Sequence, residues 1–289
     1  MKETLQTIVT ITIFICSSIA VHSQSANPNV TILKQQKVSG KTLPRGNYSG
    51  ITHVKGDTFA IVRIEQSKYT GKILSVTDLS MPTITDNLIT DSEDIIYNNN
   101  TNTLFITDEH NQEIAEYTLT GKRTGRRLSI PQEMGKNQIQ SNCGFEALAY
   151  DTTNMLYWTI TESPLKADIS KKPTPLRLQS FDSELNPSKQ YTYFTEEPQL
   201  KGKSRQYAFG VPAIITLNDG RLLVMEREIR IRKNYIGSKS IMRLFLTTPL
   251  NNGTTTKIEI ASFKTYLKLG KTNLANYEGM CKGITLDDG

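Results

Sequence analysis

Helix signals are scarce in this chain, and so are the residues behind several common chemistries. Among 289 residues there are three histidines, three cysteines and one tryptophan. His22 and Cys16 fall in an N-terminal leader, which leaves His53, His110, Cys143 and Cys281. The spacing of the two cysteines does not suggest a metal site, and it leaves a bridge and two separate thiols both open. No Gly-x-Ser-x-Gly elbow occurs, which argues against a serine hydrolase of the α/β type. A dinucleotide fingerprint, a Walker phosphate loop and a His-Glu-x-x-His pair are also missing. Beyond the leader, no apolar run is long enough to cross a bilayer as a helix. Basic residues are interleaved with acids and carry no recognised motif, which argues against nucleic acid as a partner.

The leader itself is informative. Lys2 precedes an apolar stretch over 8–20 that is too short to span a bilayer, and Val21-His22-Ser23 offers a small-residue cleavage site. Residues 1–23 therefore read as a secretory signal, with 24–289 as one domain and a secreted or periplasmic destination. Bulky Ile15 ahead of Cys16 disfavours a lipoprotein. The formal net charge of +6 suggests an anionic partner, and a small phosphorylated molecule is one candidate. Oligomeric state is left open.

Strand signals are many. Runs rich in Ile, Val, Thr, Tyr and Phe alternate with Gly, Asn and Asp turns. Leu217-Asn218-Asp219-Gly220-Arg221 is a hairpin signal, and 98–102 and 151–154 read as the same turn in other units. A phrase repeats as well. Glu93 in Asp91-Ser92-Glu93-Asp94-Ile95 and Glu146 in Gly144-Phe145-Glu146-Ala147 each precede a short apolar strand. Sixteen residues after each stands another glutamate, since 109 − 93 = 16 and 162 − 146 = 16. Glu278 in Tyr277-Glu278-Gly279 opens a further unit. Repeats of this kind predict an all-β propeller of five or six four-stranded blades. Insertions are expected at 163–174 and 196–207. The last unit stops in its first hairpin, so the chain reads either as truncated or as closed by an N-terminal strand over 31–38.

Several phrases carry a family resemblance: Gly144-Phe145-Glu146-Ala147-Leu148-Ala149-Tyr150, Thr161-Glu162-Ser163-Pro164-Leu165, Gly210-Val211-Pro212-Ala213 and Asn276-Tyr277-Glu278-Gly279-Met280. With the run 222–228 they resemble the phytase-like family described as having esterase-like activity of phytase. The resemblance implies a phosphoric-ester hydrolase, with inositol phosphates among the candidate substrates. Unit one departs from the pattern, with Ser49-Gly50 in place of a glutamate and Arg63 ending its second strand.

Repeated acids at one register converge in a propeller, and gathered carboxylates need a cation or basic partners. Glu146, Glu162 and Glu278 are the candidate catalytic carboxyls, with His53 as a general acid. Glu93, Asp108, Glu109 and Glu226 are candidate ligands for Ca²⁺, which suits hard oxygen donors. On a strand, Arg230 shares a face with Glu226 and Glu228, while Arg227 points the other way. Arg227 is thus the preferred phosphate ligand, with Arg63, Arg230 and Lys282 as further candidates. Each glutamate also has a structural reading, as a cap on backbone N–H groups or a partner of arginine. An exported propeller that binds an anionic ligand or a protein without catalysis is the alternative function.

Overall fold

The computed structural model describes residues 30, 47–56, 58–65, 70–77, 81–84, 91–140, 143–269 and 271–283. The expected leader and the strand over 31–38 lie outside these residues. The described fold is built from four antiparallel meanders. The first holds β1 (Asn47–Lys55), β2 (Thr58–Glu65), β3 (Thr70–Thr77) and β4 (Met81–Ile84). The second holds β5 (Ser92–Asn98), β6 (Thr103–Asp108), β7 (Glu113–Thr118) and β8 (Arg123–Arg127). In the third, β9 (Phe145–Asp151), β10 (Leu156–Thr161), β11 (Leu176–Phe181) and β12 (Pro187–Tyr193) follow in order. The fourth runs through β13 (Gln206–Thr216), β14 (Leu222–Ile231), β15 (Lys239–Pro249), β16 (Thr255–Lys268) and the two-residue β17 (Lys271–Thr272).

The first strands of successive sheets lie side by side: β1 against β5, β5 against β9, and β9 against β13. Apolar layers fill the space between neighbouring sheets. Ala60 and Val62 meet Ile95, Leu104 and Ile106 between the first two. Phe105 and Ile114 meet Phe145, Leu148 and Tyr157 between the next two. Trp158 and Leu178 meet Val211, Ile214 and Val224 further on. Burying one such side chain contributes about 1.5–3 kcal/mol, so these layers hold the sheets in their blade-like stack. The segment 275–280 supplies the next layer, with Ala275, Tyr277 and Met280 packed on Leu223, Met225 and Leu244.

The expected turn recurs. Asn98 Oδ1 accepts the N–H groups of Asn100 and Thr101, and Asp151 Oδ1 accepts those of Thr153 and Asn154. In both cases the residue that returns the chain is left-handed, Asn102 at φ 55° and Met155 at φ 53°; Gly220 at φ 82° does the same in the fourth sheet. Strands β4 and β8 are additions to the sequence expectation. The strand expected where Glu278 opens a further unit is not found among the described residues 279–283, which make only an isolated bridge at Lys282. All five residues of β8 are exposed, which removes the alternation that would have marked it.

Candidate functional site

Each first strand is interrupted at the same register. Pairing skips between Tyr48 and Ile51 in β1, between Ser92 and Ile95 in β5, and between Gly210 and Ala213 in β13. In β9, Phe145 pairs with Thr161 and Ala147 with Ile160, so Glu146 is the extra residue. A bulge turns the strand and re-aims the side chain it carries. The bulges of β5 and β9 carry Glu93 and Glu146. Just beyond β6 and β10, the Glu109 N–H donates to the Asp91 carbonyl at 2.9 Å and the Glu162 N–H to the Gly144 carbonyl at 3.1 Å. The sixteen-residue offset thus has one geometry in both sheets.

Close backbone approach holds these ends together. A Cβ on Gly210 would come within 2.4 Å of the Glu162 carbonyl oxygen, and one on Gly50 within 2.6 Å of the Asp94 Cα. Only glycine fits where a first strand comes this close to the neighbouring sheet. Asp94 adds a polar link between sheets. Its Oδ1 accepts the Ile95 N–H and its Oδ2 the Leu148 N–H, each at 2.8 Å.

Arg227 stands at the centre of the carboxyls. It enters from β14 and is 3% exposed. Its Nη2 lies 2.5 Å from Glu162 Oε1 and 3.6 Å from Glu146 Oε2. Its Nη1 lies 3.0 Å from Glu278 Oε1 and 3.4 Å from Asn276 Oδ1. Burial works against the guanidinium charge, but Glu146, Glu162, Glu278 and Glu93 together hold it above its ordinary value. Asp91, Glu93 and Glu109 each offer a carboxylate oxygen, and the three lie within 4.8 Å of one another.

The acids outnumber the countercharge. Burial, then Glu278, Glu109 and Asp91, push Glu93 well above the usual carboxylate range, opposed by a hydrogen bond with Ser49. Burial and Glu162 do the same to Glu146, with Arg227 opposing. Glu109 is pushed up to about 7 by burial, although its Oε1 accepts the Gly144 N–H at 2.9 Å. Burial also raises Glu162 and Glu278, with Arg227 pulling both back. The two glutamates Glu146 and Glu162 also bear on each other, Glu162 raising Glu146 and Glu146 holding Glu162 down. Of the two, Glu146 is raised further, and Glu162 is the one Arg227 holds down more directly, at 2.5 Å.

Other sequence candidates lie elsewhere. His53 Nε2 bonds the Gly56 carbonyl at 2.6 Å in the turn at the opposite end of β1. Lys282 Nζ donates to Asn218 Oδ1, in the turn of the fourth sheet. Asp108 accepts from the Asn111 N–H and side-chain amide within its own turn. Glu226 faces away from Arg227, bound by Tyr193 Oη at 2.7 Å, Lys257 Nζ at 2.6 Å and the Glu196 N–H at 2.9 Å. Arg230 reaches the carbonyls of Leu200 and Gly202 and lies over the Tyr207 ring. The Arg63 side chain lies outside the described residues. The structure therefore brings together Glu146, Glu162, Glu278, Arg227, Glu93 and Glu109. Asp91, Ser49 and Asn276 are additions. Asp91 stands two residues before Glu93 in the repeated phrase, where register could have flagged it.

A cleft of about 510 Å³ opens beside the cluster. Glu162 and Gly210 line its inner end, and residues of the two insertions line its sides, Pro164 and Ile169 in one and Glu197 and Pro198 in the other.

Meander sheets that converge at bulged first strands and present buried carboxyls around one arginine define a propeller-type protein with an acidic site. A family model described as Phytase-like, esterase-like activity of phytase, matches residues 24–289, and the chain belongs to that family. No curated protein matches the sequence. Among solved structures, a Kuenenia stuttgartiensis hydrazine synthase is 8% identical with a TM-score of 0.45, over 75% of this chain and 55% of that one. The chain thus spans about half of that protein. A chain of a nidogen/laminin complex is 11% identical with a TM-score of 0.46, over 86% of this chain and 88% of that one. The β-propeller domain of Myceliophteria thermophila Cps50 (Swd1) is 11% identical with a TM-score of 0.38, over 77% and 74%. Likenesses this distant say nothing of activity. Among the described residues, no helix is long and apolar enough to cross a membrane.

Proposed function

We propose that the protein is an exported phosphoric-ester hydrolase acting on phosphate monoesters at the carboxyl cluster around Arg227. One observation carries this reading: Glu146, Glu162 and Glu278 share the Arg227 guanidinium, and Glu93, one of a close trio with Asp91 and Glu109, feels Glu278 of that group. A phosphate ester would be repelled by such a cluster unless a cation lay between them. Asp91, Glu93 and Glu109 fit that need, because they are hard oxygen donors set close together and short of positive charge. When bound there, Ca²⁺ would draw the phosphate oxygens and polarise the ester.

The chain's own residues do the rest. Arg227 fixes the spacing of Glu146, Glu162 and Glu278 and sets the charge of Glu162. Glu146, carrying a proton, is placed to deliver it to the leaving alkoxide, and Glu162 is the group to take one from water. Residues 273–283, which bring Gly279 against Ser49 and Ile51 of the first sheet, are read as standing where the inner strand of a fifth blade would lie.

The test uses the mature chain over 24–289, freed of metal and then given Ca²⁺. Phosphate release from p-nitrophenyl phosphate or phytate should appear with Ca²⁺ and fall with chelator. The melting temperature should rise with Ca²⁺, by an amount that Glu93→Gln reduces. Absence of phosphate release under every condition would overturn the reading. The occupation of Arg227 by three glutamates favours a second reading, a propeller that binds its ligand without turnover. Calorimetric binding of a phosphate compound with no product formed would select it.

A further inference from the structure

The cleft beside Glu162 has a chemistry of its own. Its exposed apolar side chains are Ile169, 52% exposed, and Phe194, 37% exposed. Phe209, Pro164 and Pro173 continue that surface. Large apolar groups are seldom left open to water in a concave place unless something covers them. The charges along the cleft do not suit a polyanion. Glu162, Glu196 and Glu197 are negative, against Lys172. Glu196 is partly neutralised by Lys257 at 3.2 Å and Arg243 at 3.8 Å. The inner end is continuous with the carboxyl cluster, because Glu162 belongs to both.

We infer that this cleft holds the alcohol part of the substrate, and that this part is apolar, an aryl or branched alkyl group, rather than a polyphosphorylated ring. This rests on the hydrolase reading, since it takes the carboxyl cluster as the reacting end. The volume suits one such group, being in the range of small-molecule pockets. Much of the wall comes from the insertions at 163–174 and 196–207, with Phe194 and Phe209 flanking the second, so the apolar surface and most of the reacting groups sit on separate pieces of chain.

Binding of non-hydrolysable phosphonates separates the two questions. In calorimetry with Ca²⁺ present, phenylphosphonate should bind roughly tenfold to a hundredfold more tightly than methylphosphonate, the worth of burying an aromatic ring. The double variant Ile169→Gln, Phe194→Gln changes two exposed side chains, so it should fold, and it should erase that preference. Inositol hexakisphosphate should bind no better than phenylphosphonate. Equal affinity for the two phosphonates, no binding of either, or tighter binding of the hexakisphosphate would each overturn the inference. The hydrolase reading is judged apart from this. A phenyl preference with no turnover of any phosphate ester keeps the cleft assignment and removes the hydrolase. Turnover of methyl and phenyl phosphates at equal kcat/KM keeps the hydrolase and removes the cleft assignment.

Discussion

Glu146 is where the demands of the site meet in one side chain. Its Oε2 is buried without a hydrogen bond, 3.6 Å from Arg227 Nη2, and its other partner is a carboxyl that also needs the arginine. Glu146→Gln removes the proton donor at constant volume. Turnover should fall by about 10²–10⁴-fold, the usual contribution of a positioned acid or base, while the melting temperature holds or rises. If Glu146 is only a structural partner of Arg227, the same variant should instead melt earlier and keep its activity per folded molecule. Arg227 shows how far residue-level reading could go. Strand alternation placed it opposite Glu226 and Glu228, and the structure agrees. Whether its fork meets phosphate or carboxylate depends on the third sheet and on 276–278, which no local pattern reports.

At the scale of the element, the bulges and the insertions matter most. The sixteen-residue offset was legible because a bulge, a strand, a turn and a strand have the same lengths in the second and third sheets. β8 was not legible, since Arg-Thr-Gly-Arg-Arg has no apolar face to alternate. The insertion over 163–174 looked formless in sequence, yet one buried acid ties it down. Asp168 accepts Arg177 Nε at 2.7 Å and Nη2 at 2.8 Å, with Lys171 Nζ at 2.5 Å. These partners, the Arg177 hydrogen bonds first, hold its carboxyl below the usual range. A carboxyl depressed in the folded state adds stability above its unfolded pKa of 3.8, and that stability is lost as pH falls through the lower folded value. Asp168→Asn should therefore cost about 2–3 kcal/mol near neutral pH, the size of charged hydrogen bonds lost. The gap between variant and wild type should close in acid below about pH 4. Urea melts at pH 7 and pH 3 measure both; a gap that stays constant would deny Asp168 this role.

For the whole molecule, the question is what keeps the sheets in register with one another. The apolar layers supply most of the attraction but little direction. Asp94 supplies direction, because it reaches from the second sheet to the Leu148 N–H of the third. Asp94→Ala strands two buried N–H groups and should cost about 2–4 kcal/mol, while Asp94→Asn, which keeps one acceptor, should cost roughly half. Chemical denaturation decides this, and an alanine variant as stable as wild type would remove Asp94 from the account. The sheet architecture could be read from turns and repeats. The cross-sheet links could not, because each joins residues far apart in sequence, such as Asp94 and Leu148.

The crowd of carboxyls around Arg227 has a consequence for anyone who would improve the protein. Like charges held together out of water raise the energy of the folded state, so most neutral replacements there should make the fold sturdier. A screen that rewards heat resistance alone would collect glutamines at 93, 109 and 146 early, and each gain would be drawn from the site. Robustness and chemistry compete here for the same few side chains, so selection for one has to be run with a check on the other.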